Sequence, residues 1–256
     1  MNKSKECLSF IDLTSLNATD TDLTIEGMVQ KVNAFSQHFP HLNNVAAICI
    51  FPAFTKTARR MLTAPNVRIV VTGAGFPAPQ TFLKVKIEEC RMAVEEGADE
   101  VDIVLPLHYF LTGKLREAGE EINAIKQAIG SAHLKVILES GLLSAPESIA
   151  AAAMVAMEAG ADFIKTSTGK TSPAATPEAA SVMCSQIKAY YQKTGRQVGF
   201  KPAGGIVTVE DAHTYYAVVR TVLGVDWLTP QLFRIGASRL ANNLLTAIEQ
   251  TPVAYF

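Results

Sequence analysis

Short runs of β-branched and apolar residues alternate along this chain with longer, Ala-rich stretches whose apolar positions recur at helical spacing. The short runs predict strands near 8–13, 45–50, 67–72, 100–105, 134–139, 162–166, 198–201 and 232–236. Between them the pattern predicts helices over roughly 21–38, 53–63, 79–97, 115–130, 144–159, 175–194 and 208–223, with a last one over 238–249. Eight strand–helix alternations, mostly about thirty residues apart, favour a parallel sheet closed into a barrel. The competing topology, an open doubly wound sheet, usually carries a Gly-rich turn after its first strand, and no G-x-G-x-x-G follows any early strand here. No Pro/Gly/Ser-rich linker divides the chain. The expectation is an α/β protein with a TIM (β/α)8 barrel as a single domain over 1–256, ending in a flexible tail at 250–256.

One internal echo sharpens that expectation. Residues 95–104 read EEGADEVDIV and residues 158–167 read EAGADFIKTS. Each is a helix end closed by Gly (Gly97, Gly160), a short turn, then a strand. In both copies the fifth residue after the Gly is charged, Asp102 in one and Lys165 in the other. Equal offsets give equal parity on the strand. On the fourth and sixth strands of a barrel the two side chains would share one interior layer. Opposite charges there are either a structural ion pair or part of a site.

Three loops at the predicted C-terminal ends of strands are rich in Gly, Ser, Thr and Lys: KTSTGK (165–170), FKPAGGI (200–206) and RIGAS (234–238). Barrel enzymes build their sites on that face, often with a phosphate near the last two strands. Gly169, Gly204, Gly205 and Gly236 would let backbone N–H groups approach a phosphate, with Lys170 beside them. A helix starting near Ser238 would aim its N-terminus at the same place. Residues 169–171, GKT, imitate the end of a nucleotide-binding loop, but Ile164 stands where that loop requires Gly.

Lys165 and Lys201 end neighbouring predicted strands. An ordinary lysine, with a pKa of about 10.4, is protonated near neutrality and cannot attack a carbonyl. Freeing the amine at pH 7 costs roughly 4 kcal/mol, which a second ammonium nearby and partial burial can supply. Lys165 is therefore the candidate nucleophile and Lys201 its cationic partner. The plainer alternative is that both lysines bind phosphate. Asp12 and Thr14 end the first predicted strand, Cys49 ends the second, and Lys135 and Glu139 lie on the fifth, all on the same face. Asp102 could relay protons or hold a water that does. Cys49 reads equally well as a small buried hydrophobe.

Composition removes several classes of function. Lys+Arg and Asp+Glu number 23 and 24, a net charge of -1 that gives no electrostatic case for nucleic acid or an anionic membrane. The cysteines, Cys7, Cys49, Cys90 and Cys184, form no C-x-x-C pair, and the five histidines make no ligand constellation, so no metal is expected. The longest apolar run, 149–157, is too short to span a bilayer, and the first residues show no leader-like apolar stretch. A cytoplasmic protein with reduced thiols is the default reading.

The segments DLTSL (12–16), AAICIFP (46–52), GFP (75–77), GADEVDIV (97–104), LKVILES (134–140), ADFIKTSTGK (161–170), GFKPAGG (199–205) and RIGAS (234–238) together resemble the deoxyribose-phosphate aldolase family over nearly the whole chain. That resemblance implies a class I aldolase, using no metal or organic cofactor, that reversibly cleaves 2-deoxy-D-ribose 5-phosphate into acetaldehyde and D-glyceraldehyde 3-phosphate. It implies that Lys165 forms an imine, that Lys201 lowers the proton affinity of Lys165, that Asp102 relays protons and that Lys135 supports the site. Its partners would be the sugar phosphate and the aldehydes, and the family often forms dimers, so a homodimer is expected. Two departures stand out. Where the family commonly has Arg, after the GG-[IV] of the seventh loop, this chain has Val207, and where it often has a second small polar residue in the eighth loop this chain has Arg239. Arg239 either restores the missing guanidinium or is a solvated first-turn residue. Some members end in a tyrosine that reaches the active site; here Tyr255 is penultimate, and it either plays that part or belongs to a mobile tail. Rival readings are a Schiff-base aldolase with a ketone donor, a catalytically silent sugar-phosphate binder, and a phosphosugar isomerase with a carboxylate base.

Overall fold

A computed structural model describes residues 3–143 and 145–256. Its eight parallel strands are β1 (Ile11–Thr14), β2 (Ala47–Ile50), β3 (Arg68–Thr72), β4 (Glu100–Val104), β5 (His133–Ile137), β6 (Phe163–Lys165), β7 (Gly199–Lys201) and β8 (Ile235–Ala237). They pair in the order β7-β6-β5-β4-β3-β2-β1-β8. Two isolated bridges, Phe200 to Phe233 and Ala203 to Gly236, join β7 back to β8 and bring the sheet to near closure. The expected (β/α)8 barrel is the fold found.

Among the described residues the outer layer holds ten α-helices: α1 (Lys3–Ser9), α2 (Asp22–His38), α3 (Thr55–Met61), α4 (Leu83–Glu95), α5 (Leu107–Phe110), α6 (Leu115–Ala128), α7 (Pro146–Glu158), α8 (Pro177–Thr194), α9 (Val209–Val222) and α10 (Leu240–Glu249). Local chemistry sets several starts. Thr21 and Thr208 form capping boxes with Thr24 and Asp211 ahead of α2 and α9. Thr176 caps α8, with Pro177 at its first position and Gly195 closing it in the left-handed region. Two helices escape the sequence pattern. Residues 8 and 9, expected in the first strand, end α1 instead, because the largely apolar stretch 7–11, interrupted only by Ser9, spans the helix end, the turn at Phe10 and the strand start. The four-residue α5 is too short to show a period. The predicted fifth helix begins at 144, which lies outside the described residues.

Strand parity divides the side chains between two cores. Ile11, Leu13, Ile48, Ile69, Val71, Val101, Ile103, Leu134, Val136 and Ile164 face outward into the main hydrophobic core under the helices. The alternate positions face the barrel axis. On the β2–β3 side they form a small apolar cluster of Leu16, Ala47, Cys49 and Val70, with Phe51 and Phe76 packed on it. On the opposite side they are charged, and these residues build the site.

The GAD echo is a module used twice. Ala98 and Ala161 donate to the carbonyls of Ala93 and Ala156, closing α4 and α7 with Gly97 and Gly160 at positive φ. The next residue, Asp99 or Asp162, then accepts a 2.8 Å bond from the backbone N–H of Ile69 or Leu134 on the preceding strand. The same residue's N–H donates to the carbonyl of that same strand residue. This clamp fixes where β4 and β6 start, and hence the level at which Asp102 and Lys165 arrive.

Candidate active site

Asp102 and Lys165 meet: the Lys165 ammonium lies 2.8 Å from Asp102 Oδ2. Lys201, paired in register with Lys165 on the neighbouring strand, reaches the same oxygen at 2.7 Å. The two lysine nitrogens therefore share one carboxylate oxygen. Lys201 also contacts Asp12 Oδ2 at 2.6 Å. Lys135 sits 3.3 Å from Asp102 Oδ1 and bonds closely to Glu100 Oε2. Arg234 completes the ring, with Nη1 2.7 Å from Asp12 Oδ1 and Nη2 2.9 Å from Glu100 Oε1.

Four cationic side chains thus meet three carboxylates in a buried network. Lys135, Lys201 and Arg234 each touch two carboxylates, whereas Lys165 touches one. Burial alone would raise the Asp102 carboxyl, but the charges of Lys165, Lys201 and Lys135 hold it well below the usual carboxylate range. For Asp12, burial is likewise outweighed, here by Lys201 and Arg234. For Lys201, burial acts to lower the proton affinity, yet the charges of Asp102 and Asp12 raise it above the ordinary lysine value. Lys201 is a fixed cation. Burial pushes the Cys49 thiol up, so it stays protonated among its apolar neighbours.

Above this network lies a cavity of about 290 Å³ at the C-terminal mouth of the barrel. Of the charged network, Lys165 alone lines it. Thr14 does as well, together with Thr168, Gly169, Lys170, Gly204, Gly205, Gly236, Ser238 and Arg239. The loops after β6, β7 and β8 therefore converge as their composition implied. Gly169, Gly204 and Gly205 all have positive φ. A Cβ on Gly204 would come within 2.7 Å of the Ala174 side chain and 3.0 Å of the Gly169 backbone, so loops six and seven can pack this closely only through glycine. The backbone N–H groups of Gly169, Gly205, Ser238 and Arg239 have no acceptor among the described residues. Lys170 ties its loop to the first one, donating from Nζ to the Leu16 carbonyl at 2.6 Å. Arg239, just before α10, is exposed, and its guanidinium has no partner among the described residues. Val207 lines the same cavity.

The expected residues fall into two tiers. Lys165, Thr14 and the loop residues line the cavity, whereas Asp12, Cys49, Asp102, Lys135 and Lys201 are buried inside the barrel. Lys201 is thus not a phosphate-loop residue but a member of the charged layer. Tyr255 is outside the site. Its hydroxyl donates to the Lys31 carbonyl on α2 at 2.6 Å, its ring packs edge-on against Phe39, and Asn242 holds the backbone of Tyr255 and Phe256. The tail is docked on α2 and α10, because its aromatic side chains find Phe35 and Phe39 there. Sequence reasoning missed Arg234 and Glu100. Each stands two residues before a position already assigned to the inner face, Gly236 and Asp102, and parity alone points to both.

A parallel barrel with a lysine–carboxylate cluster under a glycine-lined cavity at its C-terminal mouth has the arrangement of a barrel enzyme's active site. The comparisons narrow this. Residues 7–233 match the model of the DeoC/LacD family aldolases, and the chain belongs to that family. It is 41% identical over 250 residues to the deoxyribose-phosphate aldolase of Homo sapiens, covering 93% of this chain and 78% of that protein. It is 42% identical to the one from Bos taurus over the same shares. Among solved structures it is similar to "QR15, an Aldolase", with TM-score 0.78 and 29% identity, covering 95% of this chain and 96% of that one. The fold is also that of a tetrameric deoxyribose phosphate aldolase from Aeropyrum pernix, with TM-score 0.75 and 23% identity over 98% and 94% of the two chains. No helix among the described residues is long and apolar enough to cross a membrane.

Proposed function

We propose that this chain is a deoxyribose-phosphate aldolase that cleaves 2-deoxy-D-ribose 5-phosphate through an imine on Lys165. The observation that carries the reading is the unequal partnering of the four cations. With four cations and three carboxylates the network balances when one lysine is neutral, and Lys165 has the fewest carboxylate partners. Lys165 is also the only one of the four open to the cavity. It is the member suited to act as a free amine.

The chemistry follows from that assignment. The amine adds to the C1 aldehyde of the open-chain sugar, and loss of water gives a protonated imine. Loss of the C3 hydroxyl proton breaks the C2–C3 bond, the electron pair moving into the imine to leave an enamine on Lys165. The C3–C5 half departs as glyceraldehyde 3-phosphate. A proton returns to C2, and water releases acetaldehyde and the free lysine. Asp102, held as a carboxylate, accepts and returns protons, directly or through a water. Lys201 keeps a positive charge beside Lys165, Asp12 holds Lys201, and Lys135 and Arg234 hold the carboxylates in place. Free backbone N–H groups, Lys170 and the start of α10 take the phosphate. Arg239 supplies the guanidinium on the side where Val207 cannot. Thr14 shapes the cavity wall, while Cys49 packs below it in the apolar cluster. A homodimer is the assembly we assign.

Incubation with deoxyribose 5-phosphate should release acetaldehyde and glyceraldehyde 3-phosphate in equal amounts. Lys165→Leu should lower the rate by about three orders of magnitude or more. Absence of either product, or near-normal turnover by the variant, contradicts the proposal.

A further inference from the structure

Glu139 follows β5 on the barrel's inner face, with parity that continues Lys135 and Ile137. It is 2% exposed, yet its carboxylate has no cation partner among the described residues. Its backbone lies in the left-handed region, at φ 53, which is strained for a non-glycine residue. A buried carboxylate without a cation, on a strained backbone, is unfavourable in two ways at once. Its position is therefore held for what it binds.

Both oxygens are bound by one residue. Thr168 donates its backbone N–H to Oε1 at 3.1 Å and its hydroxyl to Oε2 at 2.7 Å. Thr168 lies three residues beyond Lys165 and lines the cavity. Its hydroxyl oxygen accepts the backbone N–H of Lys170 at 3.0 Å, and the Lys170 side chain reaches the Leu16 carbonyl. A continuous run of hydrogen bonds thus leads from Glu139 through the loop after β6 to the loop after β1. Gly169, whose N–H is free, is held between the two bonded residues.

We infer that Glu139 is a positioning residue for the phosphate half of the substrate. Its carboxylate folds the 168–170 turn so that Gly169 and Lys170 present their donors to the cavity. An ionised carboxylate is needed because it alone offers two acceptors to Thr168; a carboxamide offers one acceptor and a misplaced donor. The inference rests on the aldolase reading for the identity of the phosphate, not for the loop geometry.

The test compares Glu139→Gln and Thr168→Val on deoxyribose 5-phosphate and on unphosphorylated deoxyribose. Each variant should raise KM for the phosphorylated sugar about tenfold, with kcat within about twofold, while kcat/KM for deoxyribose moves less than threefold. The double variant should be no worse than either single one, since both break the same contact. Equal losses on the two substrates, or additive losses in the double variant, overturn the inference. Calorimetric titration of the unreacted protein with inorganic phosphate gives a readout that needs no turnover. Glu139→Gln should weaken that binding about tenfold, and unchanged affinity overturns the inference even if the aldolase reading stands. A wild-type chain that binds phosphate in this Glu139-dependent way but cleaves no sugar would overturn the aldolase reading alone.

Discussion

Arg234 shows how much rests on single residues inside the barrel. Its guanidinium spans Asp12 and Glu100, and through them it fixes Lys201 and Lys135. Burial of Arg234 is outweighed by those two carboxylates, which raise its proton affinity further, so it is a permanent cation. Removing one partner of such a buried set leaves uncompensated charge, and Arg234→Met should cost about 3–5 kcal/mol in urea unfolding. The pH dependence has a definite sign. Asp12, Glu100 and Asp102 are held below their unfolded values, so the stability they contribute is present above about pH 4 and is lost as pH falls through the folded values. Lys201 is raised, so its contribution is full below about pH 10 and fades only above that. Without Arg234, Asp12 and Glu100 titrate nearer their ordinary range, and the acid limb of the stability profile should move to higher pH. An unshifted acid limb contradicts this account.

At the scale of elements, the loops after β6, β7 and β8 and the start of α10 enclose one cavity, and their glycines are there because side chains would not fit or would close it. Arg239 belongs to this scale, since it stands at the α10 N-terminus and its side chain has no partner among the described residues. Arg239→Ala should raise KM for deoxyribose 5-phosphate several-fold and leave deoxyribose kinetics nearly unchanged; equal effects on the two would make it a solvated residue. Much of this was legible beforehand. The GAD repeat placed Asp102 and Lys165 at one level because its clamp is local, made by residues within a few positions of each Gly. The loop compositions likewise pointed to the glycine-lined cavity. The Glu139–Thr168 contact was not legible, because it joins two loops whose pairing depends on the turn geometry of both. Tyr255 was misjudged between two options, neither of them its actual docking on α2, which depends on the Phe35 and Phe39 side chains.

At the scale of the molecule, the barrel separates two tasks by strand parity. Outward positions carry the hydrophobic core that folds the chain, while inward positions on one side are given to charge. The charged layer is held almost entirely out of water, so its interactions are strong and its geometry is fixed before substrate arrives. The fold could be read from the strand–helix alternation because each βα unit repeats the same signal. β1 and α1 were blurred, where one largely apolar stretch serves a helix end and a strand start, and the four-residue α5 left no period to read. The central claim is that Lys165 alone among the four cations is the covalent nucleophile. Borohydride reduction in the presence of deoxyribose 5-phosphate, followed by peptide mapping, tests it most directly. The account predicts adducts on Lys165 alone, five-carbon from the sugar imine or two-carbon from the acetaldehyde imine; an adduct on Lys201, Lys135 or any other residue, or none at all, would contradict it.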